Sequence, residues 1–402
     1  MIAINESAGE ESMDATDLTR RATLGLLAGA GLAPAFDAAA QAPLGLPETV
    51  AWTAYDVGSG SYNQGVAIGN ALKNKHNVSL RLLPGANDVA RLVPLRQGQA
   101  MFSANGVAGA YFAQEAVFDF AAREWGPQPV RAILFNHSDQ LLTIATARDA
   151  NIRTLADLRG KRVSWVVAAD ALNVNVTAML AFANLTWNDV QKVEFPGFGA
   201  SMQALIAGRV DAAFASTISG PLYQLESSAR GLHYPPMPHG DRDGWARLHK
   251  IAPYFVPTMG LEGAGIAPDK PVEAGAYPFP ILMTLGGVSD AHAHGMARAM
   301  IELYPEYKDA APGNSGWELR RQVFSWVVPF HPGAVTYFKS INAWKDADER
   351  NNAAVLRRQE VLAEAWKGFL PQAPSDAAAF REAWLRARAG ALTAAGMEKV
   401  FG

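Results

Sequence analysis

Two stretches of the chain, 110 residues apart, carry the same pattern: Leu95-x-x-Gly98-x-Ala100 returns as Leu205-x-x-Gly208-x-Val210. In each, a helical run stops at a glycine and a short apolar strand follows. Ala100–Ala104 opens into Asn105-Gly106, and Val210–Ala215 opens into Ser216-Thr217. The surroundings repeat as well. Val50–Val57 alternates as a strand and runs through Gly58-Ser59-Gly60-Ser61-Tyr62 into a helix with Ile68, Ala71 and Leu72 on one face. Val78, Leu80 and Leu82 alternate with Ser79 and Arg81 as a second strand, and a helix from Asn87 ends at Gly98. In the later copy, Thr154 caps a short helix over Leu155–Leu158. Strand Arg162–Val167 then runs into Ala168-Ala169-Asp170-Ala171-Leu172-Asn173 and a further helix. The fold class is therefore α/β, with two similar lobes, each presenting loops at the carboxyl ends of parallel strands, where open α/β sheets take ligands. The candidate binding residues are the polar and glycine positions of those loops: Ser59, Gly60, Ser61, Tyr62, Asn105, Gly106, Asp170, Asn173, Ser216 and Thr217.

Two apolar strands, Gln140–Ala147 and Phe279–Thr284, are expected to join the lobes, and a chain that crosses twice allows a hinge. This divides the chain into a first lobe of residues 41–144 plus 283–342, a second lobe of 145–282, and a helical C-terminal extension over 343–402. The Pro- and Gly-rich stretch 231–280 reads as irregular chain packed on the second lobe. The extension is broken at Pro371–Pro374, and Trp344, Trp366 and Trp384 indicate that it packs against something.

The N-terminal 40 residues read differently. Arg20-Arg21 precedes an apolar run, Leu24–Phe36, too short for a membrane span of roughly 20 residues, and small residues follow at Ala38 and Ala40. That order is an export signal of twin-arginine type, cleaved after Ala40, which places the mature protein in the periplasm. Removing it takes away six acids and two arginines and moves the formal charge from −3 to +1. A near-neutral chain has no basic field for nucleic acid. With no cysteine, disulfides, thiolate metal sites, a cysteine nucleophile and an N-terminal lipid anchor are all excluded.

The ordered blocks Gly60-Ser61-Tyr62-Asn63-Gln64-Gly65, Leu155-x-Asp157-Leu158-x-Gly160-Lys161-x-Val163-Ser164, Ala204-Leu205-x-x-Gly208-x-x-Asp211-Ala212, Pro253-Tyr254-Phe255-Val256-Pro257 and Pro329-Phe330-His331-Pro332-Gly333-Ala334 run through roughly 50–340. In this order the chain resembles the TAXI solute receptors of TRAP transporters. The resemblance implies a two-lobed periplasmic-binding-protein fold of type II and capture of a small carboxylate or amino-acid solute. It also implies delivery of that solute to a TRAP-type membrane permease, with no cofactor and no catalysis. The same fold can instead serve as a ligand-sensing subunit of a membrane signalling protein. The chain departs from the family's pattern where Asn63 replaces a proline and where Ala169-Asp170-Ala171 replaces a Gly-Ser-Gly loop.

The strand-end loops hold hydroxyls and amides, no Lys or Arg, and one charge, Asp170. Free N–H groups at helix N-termini favour a carboxylate without a formal cation, and Asp170 would pair with an ammonium or accept from a hydroxyl. The expected ligand is a small monocarboxylate carrying an amine or hydroxyl, its apolar body against Tyr62 or Trp165. His292 and His294, two residues apart at a helix start, diverge and form no metal pair. No His-Glu-x-x-His, Gly-x-Ser-x-Gly, Walker or dinucleotide motif is present.

Overall fold

The structure is a computed structural model that describes residues 43–401. The export signal read over residues 1–40 lies outside the described residues. In chain order the first lobe begins with β1 (Thr49–Ala54), α1 (Gly60–His76), β2 (Ser79–Pro84), α2 (Asp88–Arg96) and β3 (Phe102–Asn105). A π turn over Ala108–Phe112 runs into the single turn α3 (Ala113–Glu115), and β4 (Val130–Phe135) follows. The second lobe holds β5 (Leu142–Ala147), β6 (Arg162–Val166), α4 (Asp170–Phe182), β7 (Gln191–Phe195), α5 (Phe198–Ile206), β8 (Ala212–Ser216), α6 (Gly220–Ser227) and β9 (Leu232–His233). Helix α7 (Arg242–His249) and the antiparallel ribbon of β10 (Val256–Gly260) and β11 (Val272–Ala276) complete it. The chain returns as β12 (Ile281–Leu285), α8 (Asp290–Glu302), α9 (Tyr304–Tyr307) and α10 (Pro332–Ser340), then ends in α11 (Asp346–Phe369) and α12 (Ala377–Ala394).

The repeated sequence pattern becomes a repeated topology. One five-stranded sheet has the order β2-β1-β3-β12-β4, the other β7-β6-β8-β5-β9. In each, three strands are parallel and the fourth, β12 or β5, pairs antiparallel with the third. This is a two-lobed α/β fold with mixed sheets. The expected crossing strands each belong to one sheet, and the links themselves are shorter, 136–141 and 277–280. They are laced together: Asn136 N–H donates to the Pro280 carbonyl at 3.1 Å and Phe279 N–H to the Asn136 carbonyl at 2.9 Å. Gln140 Nε2 donates to the Phe279 carbonyl at 2.6 Å.

Stretch 231–280 is more regular than its composition suggests. Trp245 on α7 packs edge-on against Phe182 of α4, and Tyr254 donates to Asn175 of α4 at 2.6 Å. The Pro and Gly residues that hide the ribbon, Pro257 and Gly260, sit on a two-stranded element where each strand has a free edge, which tolerates them.

Helices α11 and α12 dock on the first lobe through a buried carboxylate. Glu115 is wholly buried and pairs with Arg358, at 2.6 Å, and with Arg388. Trp384 Nε1 donates to the Ala116 carbonyl at 2.8 Å, and Trp384, Phe369 and Phe380 form a small apolar cluster with Ala116 and Ala121. Trp366 lies over Gly126, where a Cβ would come within 2.4 Å of the indole. Trp344 packs instead with Phe324 and Phe330 of the main core.

Candidate ligand cleft

Each lobe delivers strand ends to the face where the lobes meet. After β1 the chain passes Tyr55, Asp56, Val57 and Gly58, whose φ of +85° suits a residue without a side chain, and reaches Ser59, the cap of α1. After β6 it turns through Ala168, at φ +54°, into α4. After β8 it runs through Ser216, Thr217, Ile218 and Ser219 into α6.

Between these ends lies a small, partly open cavity of about 20 Å³. Tyr55, Ser59 and Gly60 line it from the first lobe, and Leu142, Leu172, Phe198, Phe214, Ser216 and Ser219 from the second. Tyr277 and Phe279 of the return link close its base. Its walls are mostly apolar, and a space of this size holds one water.

The lobes touch around that cavity. Gly220 N–H donates to the Gly58 carbonyl at 3.1 Å and Phe198 N–H to the Ala86 carbonyl at 3.4 Å. Gly199 N–H donates to Asp56 Oδ2 at 2.9 Å. Asp88 N–H reaches the Ala168 carbonyl at 3.2 Å, and Ala171 N–H returns a bond to Asp88 Oδ2 at 2.9 Å. Asp119 N–H donates to Asp170 Oδ2 at 2.8 Å. Gly220 is needed for the approach, since a Cβ there would stand 2.9 Å from the Gly58 carbonyl oxygen.

Charge is held just behind the wall. Arg91 and Asp88 form a fully buried ion pair, and the Arg91 guanidinium also donates to the Gly85 carbonyl at 2.9 Å and to Asn105 Oδ1 at 3.2 Å. Its carbon lies 3.4 Å from the centre of the Tyr55 ring, stacking a cation on the face of a residue that lines the cavity. Burial raises the Tyr55 phenol well above its ordinary value. Burial also raises the Asp88 carboxyl, against the lowering effect of Arg91. Asp170 is pushed up to about 8, first by burial and then by the neighbouring Asp119 and Asp88 carboxylates.

The structure distributes the sequence candidates over several roles. Ser59, Gly60 and Ser216 line the cavity. Ser59 Oγ accepts from Tyr62 N–H at 3.3 Å, and Ser216 Oγ donates to Gln140 Oε1 on the outgoing link. Ser61 is buried one step back, its Oγ accepting from Tyr55 N–H at 3.3 Å. Gly106 lies under Tyr55, where a Cβ would come within 2.4 Å of the phenol oxygen. Asp170 sits in the lobe contact rather than in the cavity wall.

The remaining candidates serve elsewhere. Tyr62 faces an outer groove with Val66, Lys73, Leu80 and Leu82. Asn105 is wholly buried and holds Arg91 and Gly106 N–H, its Nδ2 left without a partner. Asn173 bonds both N–H and carbonyl of Val166, at 3.0 and 2.7 Å. Thr217 Oγ1 accepts from Leu141 N–H at 3.0 Å and donates to the Glu262 carbonyl at 2.9 Å, tying the outgoing link to the second lobe. Trp165 packs against Trp187 and Lys192, away from the cavity.

Sequence reasoning missed Arg91, Phe198 and Tyr277. Arg91 stands three residues after Asp88 on an Asn87-capped helix, the spacing of a same-face ion pair, and that was a usable signal. Phe198 follows the end loop of β7, Pro196-Gly197, which has no polar side chain to mark it, and Tyr277 lies on the return link. Among the described residues no group of three or more His, Asp or Glu side chains is placed to hold a metal, and no helix is long and apolar enough to cross a membrane.

Residues 54–341, from the end of β1 through α10, match the model of the NMT1-like family. The chain belongs to the NMT1-like family. The matched span takes in both sheets' crossing strands and every cavity-lining residue, and it stops before the helical extension. None of the curated proteins matches the chain. Among solved structures, the alkanesulfonate-binding protein from Xanthomonas axonopodis pv. citri bound to MOPS is similar at 15% identity and a TM-score of 0.43, covering 80% of this chain and 93% of that one. An ancestral arginine-binding protein bound to arginine aligns at 13% identity and 0.38, over 68% and 97%. An amino acid ABC transporter substrate-binding protein from Streptococcus pneumoniae Canada MDR_19A aligns at 12% and 0.39, over 67% and 92%. At these values the likeness extends neither to side chains nor to ligands.

Proposed function

We propose that this NMT1-like protein is a periplasmic solute receptor that closes its two lobes on a small solute and delivers it to a TRAP-type membrane permease. The observation that carries the reading is the cavity itself: its walls come from both lobes and from the link between them, and nothing in them is set up for bond chemistry. The Ser216 hydroxyl, which faces the cavity, is engaged by Gln140, and no acid–base pair faces it.

The solute has a compact apolar body, suited to Phe198, Phe214, Leu142 and Tyr277, and a carboxylate end. The positive end of α1 at Ser59-Gly60-Ser61 supports the carboxylate, since a 17-residue helix presents its unpaired N–H groups there. An ammonium partner is less well supported than the sequence suggests, because Asp170 is spent on Asp119 N–H and is driven toward its neutral form. A cavity of about 20 Å³ cannot hold such a solute, so entry requires the lobes to part and binding to hold them slightly wider. Micromolar affinity requires about −8 kcal/mol, attainable for roughly ten enclosed heavy atoms.

Native mass spectrometry of the exported protein, purified without refolding, should show an added small mass. Calorimetry should then rank monocarboxylates above dicarboxylates. A protein that carries nothing and gives no heat with monocarboxylates, amino acids or dicarboxylates would end the proposal.

A further inference from the structure

The last residues of the chain touch both lobes. Helix α12 is fixed to the first lobe through Arg388 and Trp384, and the chain turns at Gly396, where φ is +67°. Arg358, already paired with Glu115, donates to the Glu398 carbonyl at 2.9 Å and aims the tail toward the second lobe. Glu398 to Phe401 then share a groove with Ala246, His249, Lys250 and Pro253 of that lobe.

Phe401 ends this path between the lobes. Its ring centre lies 5.0 Å from those of Tyr111 and Phe112 and 5.7 Å from Phe118, all first-lobe residues. It lies 6.3 Å from Tyr254 of the second lobe. Tyr254 donates to Asn175 Oδ1 at 2.6 Å, and Asn175 Nδ2 donates to the Tyr277 hydroxyl at 3.0 Å. Tyr277 is a wall of the ligand cavity. Phe401 is thus one ring contact and two hydrogen bonds away from Tyr277 in the cavity wall.

We propose that residues 397–401 form a strap, anchored on the first lobe and locked by Phe401, that holds the second lobe in the closed position. The lobe contact needs such a device. It brings the carboxyls of Asp88, Asp119 and Asp170 together, with buried Arg91 beside Asp88 and Arg381 of α12 acting on Asp119 and Asp170, and taking these carboxyls out of water resists closure. Phe401 is seated edge-on among first-lobe rings and meets Tyr254 of the second lobe in a tilted ring contact, and that cross-lobe contact opposes the resistance and is lost when the lobes part. The strap goes beyond the receptor reading, and it holds whichever solute the cleft takes.

The chain has no cysteine, so Gln97→Cys and Gln203→Cys, at exposed positions one in each lobe, admit two spin labels and no others. Electron–electron distance measurements on the full chain without added solute should give one dominant separation. Phe401→Ala, and a chain ending at Gly396, should each raise a longer separation on the order of tenfold over its population in the parent. Phe401→Leu, which keeps apolar bulk but loses the ring contacts, should fall between the parent and Phe401→Ala. Identical distributions in all four proteins would overturn the strap. Global loss of helical circular dichroism in both weakened proteins would also overturn it, because the tail would then be core. The solute-binding reading survives either failure, since it is tested by bound mass and heat.

Discussion

The two sheets share a strand order but not a chemistry. The first lobe keeps its buried charges: Asp88 with Arg91 behind the cavity, and Glu115 with Arg358 and Arg388 under the extension. The second presents Phe198, Phe214, Leu142 and Leu172 to the cavity, with Ser216 and Ser219 as its polar groups there. One lobe is thus a charged, braced platform, and the other is an apolar cover that meets it. In the proposed receptor, the repeated topology sets where a solute sits, whereas the side chains placed on each copy set which half orients it and which half excludes water.

That contrast can be broken at the platform first. Replacing Glu115 with Gln leaves buried Arg388 and partly buried Arg358 without a carboxylate, and a broken buried pair costs about 3–5 kcal/mol. Urea unfolding should show a loss of that size. A loss below about 1 kcal/mol would mean that Trp384, Phe369 and Phe380 hold the extension by themselves.

The lobe contact gives the next effect. Asp170 keeps its proton to about pH 8 in the folded protein, whereas its ordinary value is 3.8. The folded protein therefore binds the extra proton, and its stability falls as pH rises from about 4 to 8 and levels off above that. The slope is at most about 1.4 kcal/mol per pH unit. Asp170→Asn should flatten the fall measured by thermal unfolding, and an unchanged profile would place the titration on another group. The smallest effect separates the two faces of α1. Ser59→Ala should weaken binding of the co-purified solute about fivefold through loss of the cap. Tyr62→Ala, on the outer groove, should leave affinity within about twofold. Calorimetry on the two variants decides between these faces.

Much of the architecture was legible because its signals are local. The helix–glycine–strand echo around Gly98 and Gly208 led directly to α2–β3 and α5–β8, and the strand-end loops did supply Ser59, Gly60 and Ser216 to the cavity. The site was less legible because a polar residue in a strand-end loop has two possible employers. Asn105, Asn173 and Thr217 satisfy buried backbone or guanidinium groups, which spacing does not reveal. The apolar walls include Phe198 and Tyr277, which only the tertiary arrangement brings beside Tyr55. The ribbon of β10 and β11 was hidden by prolines and glycines that a free edge accepts.

The place of β12 has a consequence for how the chain matures. The second sheet is drawn from one continuous stretch, residues 142–233, whereas the first lacks its fourth strand until residues 281–285 arrive. During synthesis the earlier-made half must wait, with the flank of β3 unpaired, while the later-made half can already condense. The order of assembly is thereby the reverse of the order of translation, and the nascent intermediate most exposed to aggregation is the N-terminal one.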